Sequence, residues 1–251
     1  MTYKLESPQR AGYPPIEVMV AAPSSLLNLP IDAGQLIQAE DKVWGMGEFV
    51  FARANGSIRQ YGLCVLTPVW DSTNLTYTWN ATEVPNTANL GRTLCVAQGA
   101  GAMSSGQYGW FMISGITPVN CSASVTADST FGIAAAGQGG ANSAGKQILN
   151  ARVVTAATQA PTRVAVSGES GDTRINFTNT DGFIVGGYLS GTGVGASAVV
   201  TFIDPLGKYI LASVANSASV AGQTVTCTYN NATVFYNVAH LNRPFAQGAI
   251  T

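Results

Sequence analysis

The sequence predicts a mainly β protein with an extended N-terminal arm, a β-sandwich or barrel-like core domain and a second small β-domain. Three observations carry this. Short apolar runs of strand length recur between Gly, Asn, Asp and Pro turn residues. Stretches dense in Gly, Thr, Val and Ser are poor helix formers. Five of the eleven prolines (Pro8, Pro14, Pro15, Pro23, Pro30) fall within the first thirty residues, where fixed φ and missing donors favour extended backbone.

The elements follow in order. Residues 1–42 form the arm, with Ile16, Val18, Met19, Val20, Leu26, Leu27 and Leu29 as apolar material to bury. Only Ala33–Lys42 has the length for two helical turns, and it lacks an apolar stripe. Residues 43–160 form the core domain. Glu48–Arg53 reads as a strand, Asn55-Gly56 as a hairpin turn whose positions tolerate φ > 0, and Ile58–Leu66 as the return strand. Thr67–Asn89 reads as a polar loop carrying Trp70 and Trp79. Strands follow at Arg92–Gln98 and Tyr108–Gly115, the latter with Tyr108, Trp110 and Met112 on one face. Ile116–Val125 and Thr130–Ala135 are further strands, Ala136–Gly145 a loop, and Lys146–Thr155 the last long strand. Thr155–Pro161 is a linker.

Residues 161–239 form the outer domain, with strands at 163–167, 174–178, 183–189, 198–203, 208–214, 223–229 and 233–238. Asp204-Pro205-Leu206-Gly207 has the residues of a type I turn. Residues 240–251 are an extended strap.

Charged residues make up only 10% of the chain, against roughly 25% in soluble domains. With 46% hydrophobic residues and a net charge of −1, the chain is not of the disordered class. Surface so poor in charge gives weak colloidal protection to a free monomer, which points to life in an assembly. The scattered basic residues offer no patch for nucleic acid and no polybasic patch for a membrane. Cys64, Cys95, Cys121 and Cys227 have no metal-ligand spacing and are expected as buried free thiols, in keeping with a reducing cytoplasm. Met1–Arg10 is polar, and no apolar signal-peptide core follows it.

The search for chemistry yields no catalytic, cofactor or metal site. His240 is the single histidine, so a Ser–His–Asp site would have to use it. Asp172 and Asp181 lie beside glycines where turns are expected, not as a glycosidase pair. Gly191-Thr192-Gly193-Val194-Gly195-Ala196 matches a dinucleotide fingerprint in letters, but a strand-like run follows it instead of a helix. Trp44 and Trp110 are expected in the core. Trp70 and Trp79 are either outer-surface contacts or plugs at the end of the β-structure.

The middle of the chain carries a resemblance. Gly47–Ala54 and Ser57–Gly62 are followed by Gly91–Gln98, then Gln107–Gly115 (Q-Y-G-W-F-M-I-S-G), then Gly145–Arg152. This order, over about Gly45–Val154, resembles tailed-bacteriophage capsid decoration (cement) proteins, in which a G-x-A-Q strand followed by a Y-G-W strand is a familiar feature. Cys95 stands where glycine is common. The resemblance implies a non-enzymatic homotrimer at threefold positions on the outer surface of an HK97-type shell, bound to the major capsid protein and assembled in the host cytoplasm. Its arm would clasp a neighbouring subunit, with Ile16, Val18, Val20, Leu26, Leu27 and Leu29 as the capsid and inter-subunit contacts. The rival expectation is a phage tail or fibre protein binding a host receptor, with Trp70 and Trp79 against a host-surface glycan. Neither reading needs a cofactor.

Overall fold

The structure, a computed structural model, describes residues 4–5, 16, 19–21, 32–41, 44–72, 75–99 and 101–249. Among these, all regular structure is strand. In chain order the strands are β1 (Lys4–Leu5), β2 (Leu36–Asp41), β3 (Gly45–Ala54), β4 (Leu63–Asp71), β5 (Thr76–Glu83), β6 (Leu94–Gln98), β7 (Tyr108–Cys121), β8 (Phe131–Ala135) and β9 (Gln138–Ala141). There follow β10 (Ile148–Thr155), β11 (Thr162–Ser167), β12 (Arg174–Phe177), β13 (Tyr188–Ser190), β14 (Val200–Ile203), β15 (Tyr209–Ala212), β16 (Thr224–Thr228) and β17 (Phe235–Ala246).

The larger sheet contains a closed barrel. β3 pairs antiparallel with β7 from Glu48 to Arg53, and parallel with β5 at Arg53–Asn80 and Ala54–Ala81. β5 pairs with β4, β4 with β6, and β6 with β7, so five strands form a ring. Alternation then sends every second residue inward. Val50, Ala52 and Ala54 meet Cys64, Leu66, Ala81, Cys95, Ala97, Phe111 and Ile113 in one buried cluster, which Ile58 and Met103 complete. Small Ala and Cys side chains are what a ring this narrow can hold.

The outward residues of the same strands build a second core. Phe49, Phe51, Leu63, Leu94, Val96, Tyr108, Trp110 and Met112 pack with Phe131, Ile133, Ile148, Val153, Val238 and Leu241. The rings of Phe51 and Trp110 meet edge-on at 5.1 Å. The expected common face of Tyr108, Trp110 and Met112 is therefore present. What the sequence splits into strands at 108–115 and 116–125 is one strand, β7, that passes through Gly115 at φ 118°. A Cβ at Gly115 would lie 2.9 Å from the Gly47 Cα, so the close approach of β3 requires glycine there.

Several local expectations are corrected. Residues 36–41 are strand β2, held between β1 and β3, because ladder pairing on both edges overrides a weak helical preference. Asn55-Gly56 does not make a hairpin. Both edges of β3 are already taken by β2, β7 and β5, so the chain leaves the sheet, bridges Ile58 to Met103 and re-enters as β4 at Leu63. The loop at 136–145 contains β9, which pairs with β8 and touches β7.

The smaller sheet has the order β13-β16-β11-β12-β15-β14 and its own core, including Ile175, Phe177, Phe183, Ile210 and Val225. The Asp204–Gly207 turn forms as expected, with the Gly207 N–H donating to the Asp204 carbonyl at 2.7 Å. The chain beyond it departs from expectation. Residues 233–238 were expected in this sheet and 240–251 as a separate strap. Instead Phe235–Ala246 is strand β17 of the larger sheet, laid between β7 and β10. Its alternating burial supplies Val238, Leu241 and Ala246 to the larger core, and that burial decides where it pairs. The six-stranded sheet is thus an insertion between two adjacent strands, with Val153 opposite Ala239 at its base. Ile184 and Tyr229 of the inserted unit join the larger core, and Tyr61 meets Tyr236 edge-on at 5.4 Å beside them.

Candidate functional site

The segment expected as a loop, Thr67–Asn89, is mostly the β4–β5 hairpin. Trp70 lies opposite Tyr77, and Pro68 opposite Trp79. The missed signal is in Thr76-Tyr77-Thr78-Trp79, an alternation of β-branched and aromatic residues that favours strand. Cys64, Leu66, Pro68 and Trp70 share one face of β4, and Ala81, Trp79 and Tyr77 the matching face of β5. At the barrel end of the hairpin this face is core. Trp79, half-buried, packs on the barrel interior and against Gly34, where any Cβ would collide with its indole. Past Trp79 the hairpin overhangs, and the same face emerges into solvent. Trp70 is 51% exposed and Tyr77 62%, with ring centroids 5.1 Å apart, while Leu75 at the tip is 74% exposed. Trp79 is therefore a plug in the barrel mouth and not an outer-surface contact, whereas Trp70 faces outward.

The arm residues divide likewise. Ile16, expected at an inter-subunit contact, is buried in the larger core of its own chain. Val20 exchanges two hydrogen bonds with Tyr108, at 2.7 and 2.8 Å. Ile16 is thus taken up by the chain's own core, while Val20 uses its backbone on the sheet and keeps a half-buried side chain. Val18, Leu26, Leu27 and Leu29 lie outside the described residues. Lys4 and Leu5 pair with Glu40 and Ala39 on the edge of the same sheet.

All four cysteines are buried free thiols. Cys64 and Cys95 face each other across β4 and β6 inside the barrel. Burial pushes every one of these thiols up, Cys121 and Cys227 to about 11, so they are poor nucleophiles and poor ligands. His240 is exposed on β17 opposite Arg152 and Ile116. Asp172 and Asp181 sit in turns, as their glycine neighbours predict. Gly191 and Gly193 have positive φ and pack against the backbone of residues 218–219 and 224, serving a turn. Among the described residues no three His, Cys, Asp or Glu side chains gather as a metal site, and no helix is long and apolar enough to cross a membrane.

The fold defines an all-β protein with a closed five-stranded barrel inside a larger sheet and a second sheet inserted into it. Its most distinctive surface is apolar and aromatic. No protein-family model, curated protein or solved structure matches the chain.

Proposed function

We propose that the chain is a non-enzymatic structural virion protein that decorates and stabilises a bacteriophage capsid, sitting as a trimer on the outer shell surface against the major capsid protein. The overhanging β4–β5 hairpin carries this reading. It presents Trp70 and Tyr77 to solvent as a continuation of a core-facing row, with Leu75 exposed at the tip and Val69 on the opposite face, and a protein surface of that kind calls for a protein partner. Val164 and Val166, exposed on one face of β11, add apolar surface on the inserted unit. The low charge of the whole chain and its buried free thiols agree with assembly in a reducing cytoplasm. A trimer bound only to the finished shell stabilises that shell by mass action, and its threefold symmetry repeats each contact at high effective concentration.

The test combines light scattering on the purified protein with co-sedimentation on expanded shells and imaging of virions. The expected result is a trimer that pellets with shells, lies on the head, and loses pelleting in the Trp70→Ala/Tyr77→Ala variant while its Tm is unchanged. Shell binding undiminished in that variant would remove the hairpin from the contact, and label on the tail would favour the receptor-binding rival, in which exposed Trp70 meets a host glycan. Removing residues 1–30 is the weaker test, because it strips Ile16 from the chain's own core.

A further inference from the structure

We infer that the open cleft between Asn89, residues 142–147 and Gln247 is a binding site for a neutral oligosaccharide. This rests on features separate from the hairpin and does not depend on the capsid reading. The cleft has a volume of about 650 Å³. Its lining residues include Asn89, Asn142, Gln147 and Gln247, which bring four carboxamides to it, and Ser143, which brings a hydroxyl. None of these side chains is hydrogen-bonded to another described residue.

The walls are fixed by backbone. Residues 245–248 run between residues 90–93 and 147–149. Ala246 N–H donates to Arg92 O at 2.8 Å, Gln247 N–H to Gln147 O at 2.9 Å, and Gly91 N–H to Gln247 O at 3.2 Å. Asn89 N–H donates to Gly145 O at 2.7 Å. Gly145 has φ 73°, and a Cβ there would lie 2.8 Å from Asn89 Oδ1, so the Asn89 carboxamide lies directly over the glycine. Beside the cleft, Leu149 and Phe245 oppose each other as the next pair on the face that carries Gln147 and Gln247. They are 38% and 37% exposed and form an apolar step.

The donor set selects the ligand class. Each carboxamide offers two donors and an acceptor, which matches hydroxyls that donate and accept in turn. No charged side chain lines the cleft, and the adjacent Lys146 ammonium is held by Asn86 Oδ1 at 2.8 Å, so an ion finds no counter-charge. An apolar ligand would leave the carboxamides desolvated without partners. An added peptide strand needs a free backbone edge, and residues 245–248 are bonded on both sides. A sugar ring supplies hydroxyls for the amides and a C–H face for Phe245.

The experiment is heteronuclear NMR titration of the full chain with malto-, cello- and chito-oligosaccharides and dextran, with polygalacturonate as the charged comparison. At least one neutral saccharide should shift amides at 89, 142–147 and 245–248 at ~10 mM or below. Asn89→Ala and Gln247→Ala should each weaken that binding about tenfold, Phe245→Ala should weaken it similarly, and Trp70→Ala should leave it unchanged. Shell co-sedimentation should be indifferent to the cleft variants, which separates this inference from the capsid reading. Three outcomes overturn it: no saccharide of the panel binds, the shifts map to the β4–β5 hairpin instead, or affinity survives in a folded Asn89→Ala/Gln247→Ala double variant.

Discussion

Asn237 is fully buried, and its side chain ties together three pieces of backbone. Oδ1 accepts from Val125 N–H and Ala157 N–H, both at 2.9 Å, and Nδ2 donates to Ala123 O at 3.1 Å. One carboxamide thereby fixes the loop after β7 and the start of the connection to the inserted sheet. Asn237→Ala leaves two buried donors and an acceptor without partners, so chemical denaturation should show a loss of about 3 kcal/mol. The thiols make a second prediction at this scale. In the folded state burial raises them above their ordinary value of 9.0. A raised folded value means stability is intact below the unfolded thiol range and declines as pH climbs through it toward the folded value. Stability should be level to about pH 8 and then fall toward pH 11, and a thiol reagent should label the native protein far more slowly than the unfolded one. Buried thiols were legible from runs such as Leu63-Cys64-Val65. The role of Asn237 was not, since its three partners lie 80 to 114 positions away.

Among the elements, β3 and the first half of β7 were the most legible, because continuous apolar runs such as Phe49–Ala52 and Trp110–Ile113 suit strands buried on both faces. The barrel that they close was not legible. Half of its interior is Ala and Cys, which carry little periodic signal, and its parallel β3–β5 seam joins residues without any turn between them. Asn55-Gly56 misled for a related reason: turn chemistry gives the bend, but free edges decide which strands pair. The narrow interior has a consequence that can be measured. Ala81 on β5 and Ala97 on β6 sit fully or almost fully buried on either side of β4 in the ring. Ala81→Leu forces three extra carbons into this filled space and should cost about 2 kcal/mol by thermal or chemical unfolding. A gain in stability would mean that the interior has room, contrary to the packing described.

At the level of the whole molecule, the two sheets are nested, not strung in line. Entry and exit of the inserted unit leave the larger sheet from adjacent strands, β10 and β17. Replacing residues 160–231 with a short Gly-Ser loop should therefore leave a folded larger sheet, seen as a native-like amide spectrum. Loss of Ile184 and Tyr229 from its core should lower its Tm and make Tyr61 and Tyr236 accessible. A chain that fails to fold would show that the larger sheet depends on its insert. The linear reading of core, outer domain and strap could not anticipate nesting, because a strand's partner is set by distant burial and not by its neighbours in sequence.

The position of β17 also bears on how the protein is made. It lies between β7 and β10 in the larger sheet, yet it is synthesised after both of them and after the whole inserted sheet. Until then, residues 114–121 of β7 and the edge of β10 that faces β17 wait with open ladder groups, and any nascent copy nearby can lend its own strand to fill them. A polypeptide ending at residue 234 should accordingly precipitate or entangle with its siblings, and a synthetic peptide of residues 235–246 supplied during refolding should rescue it.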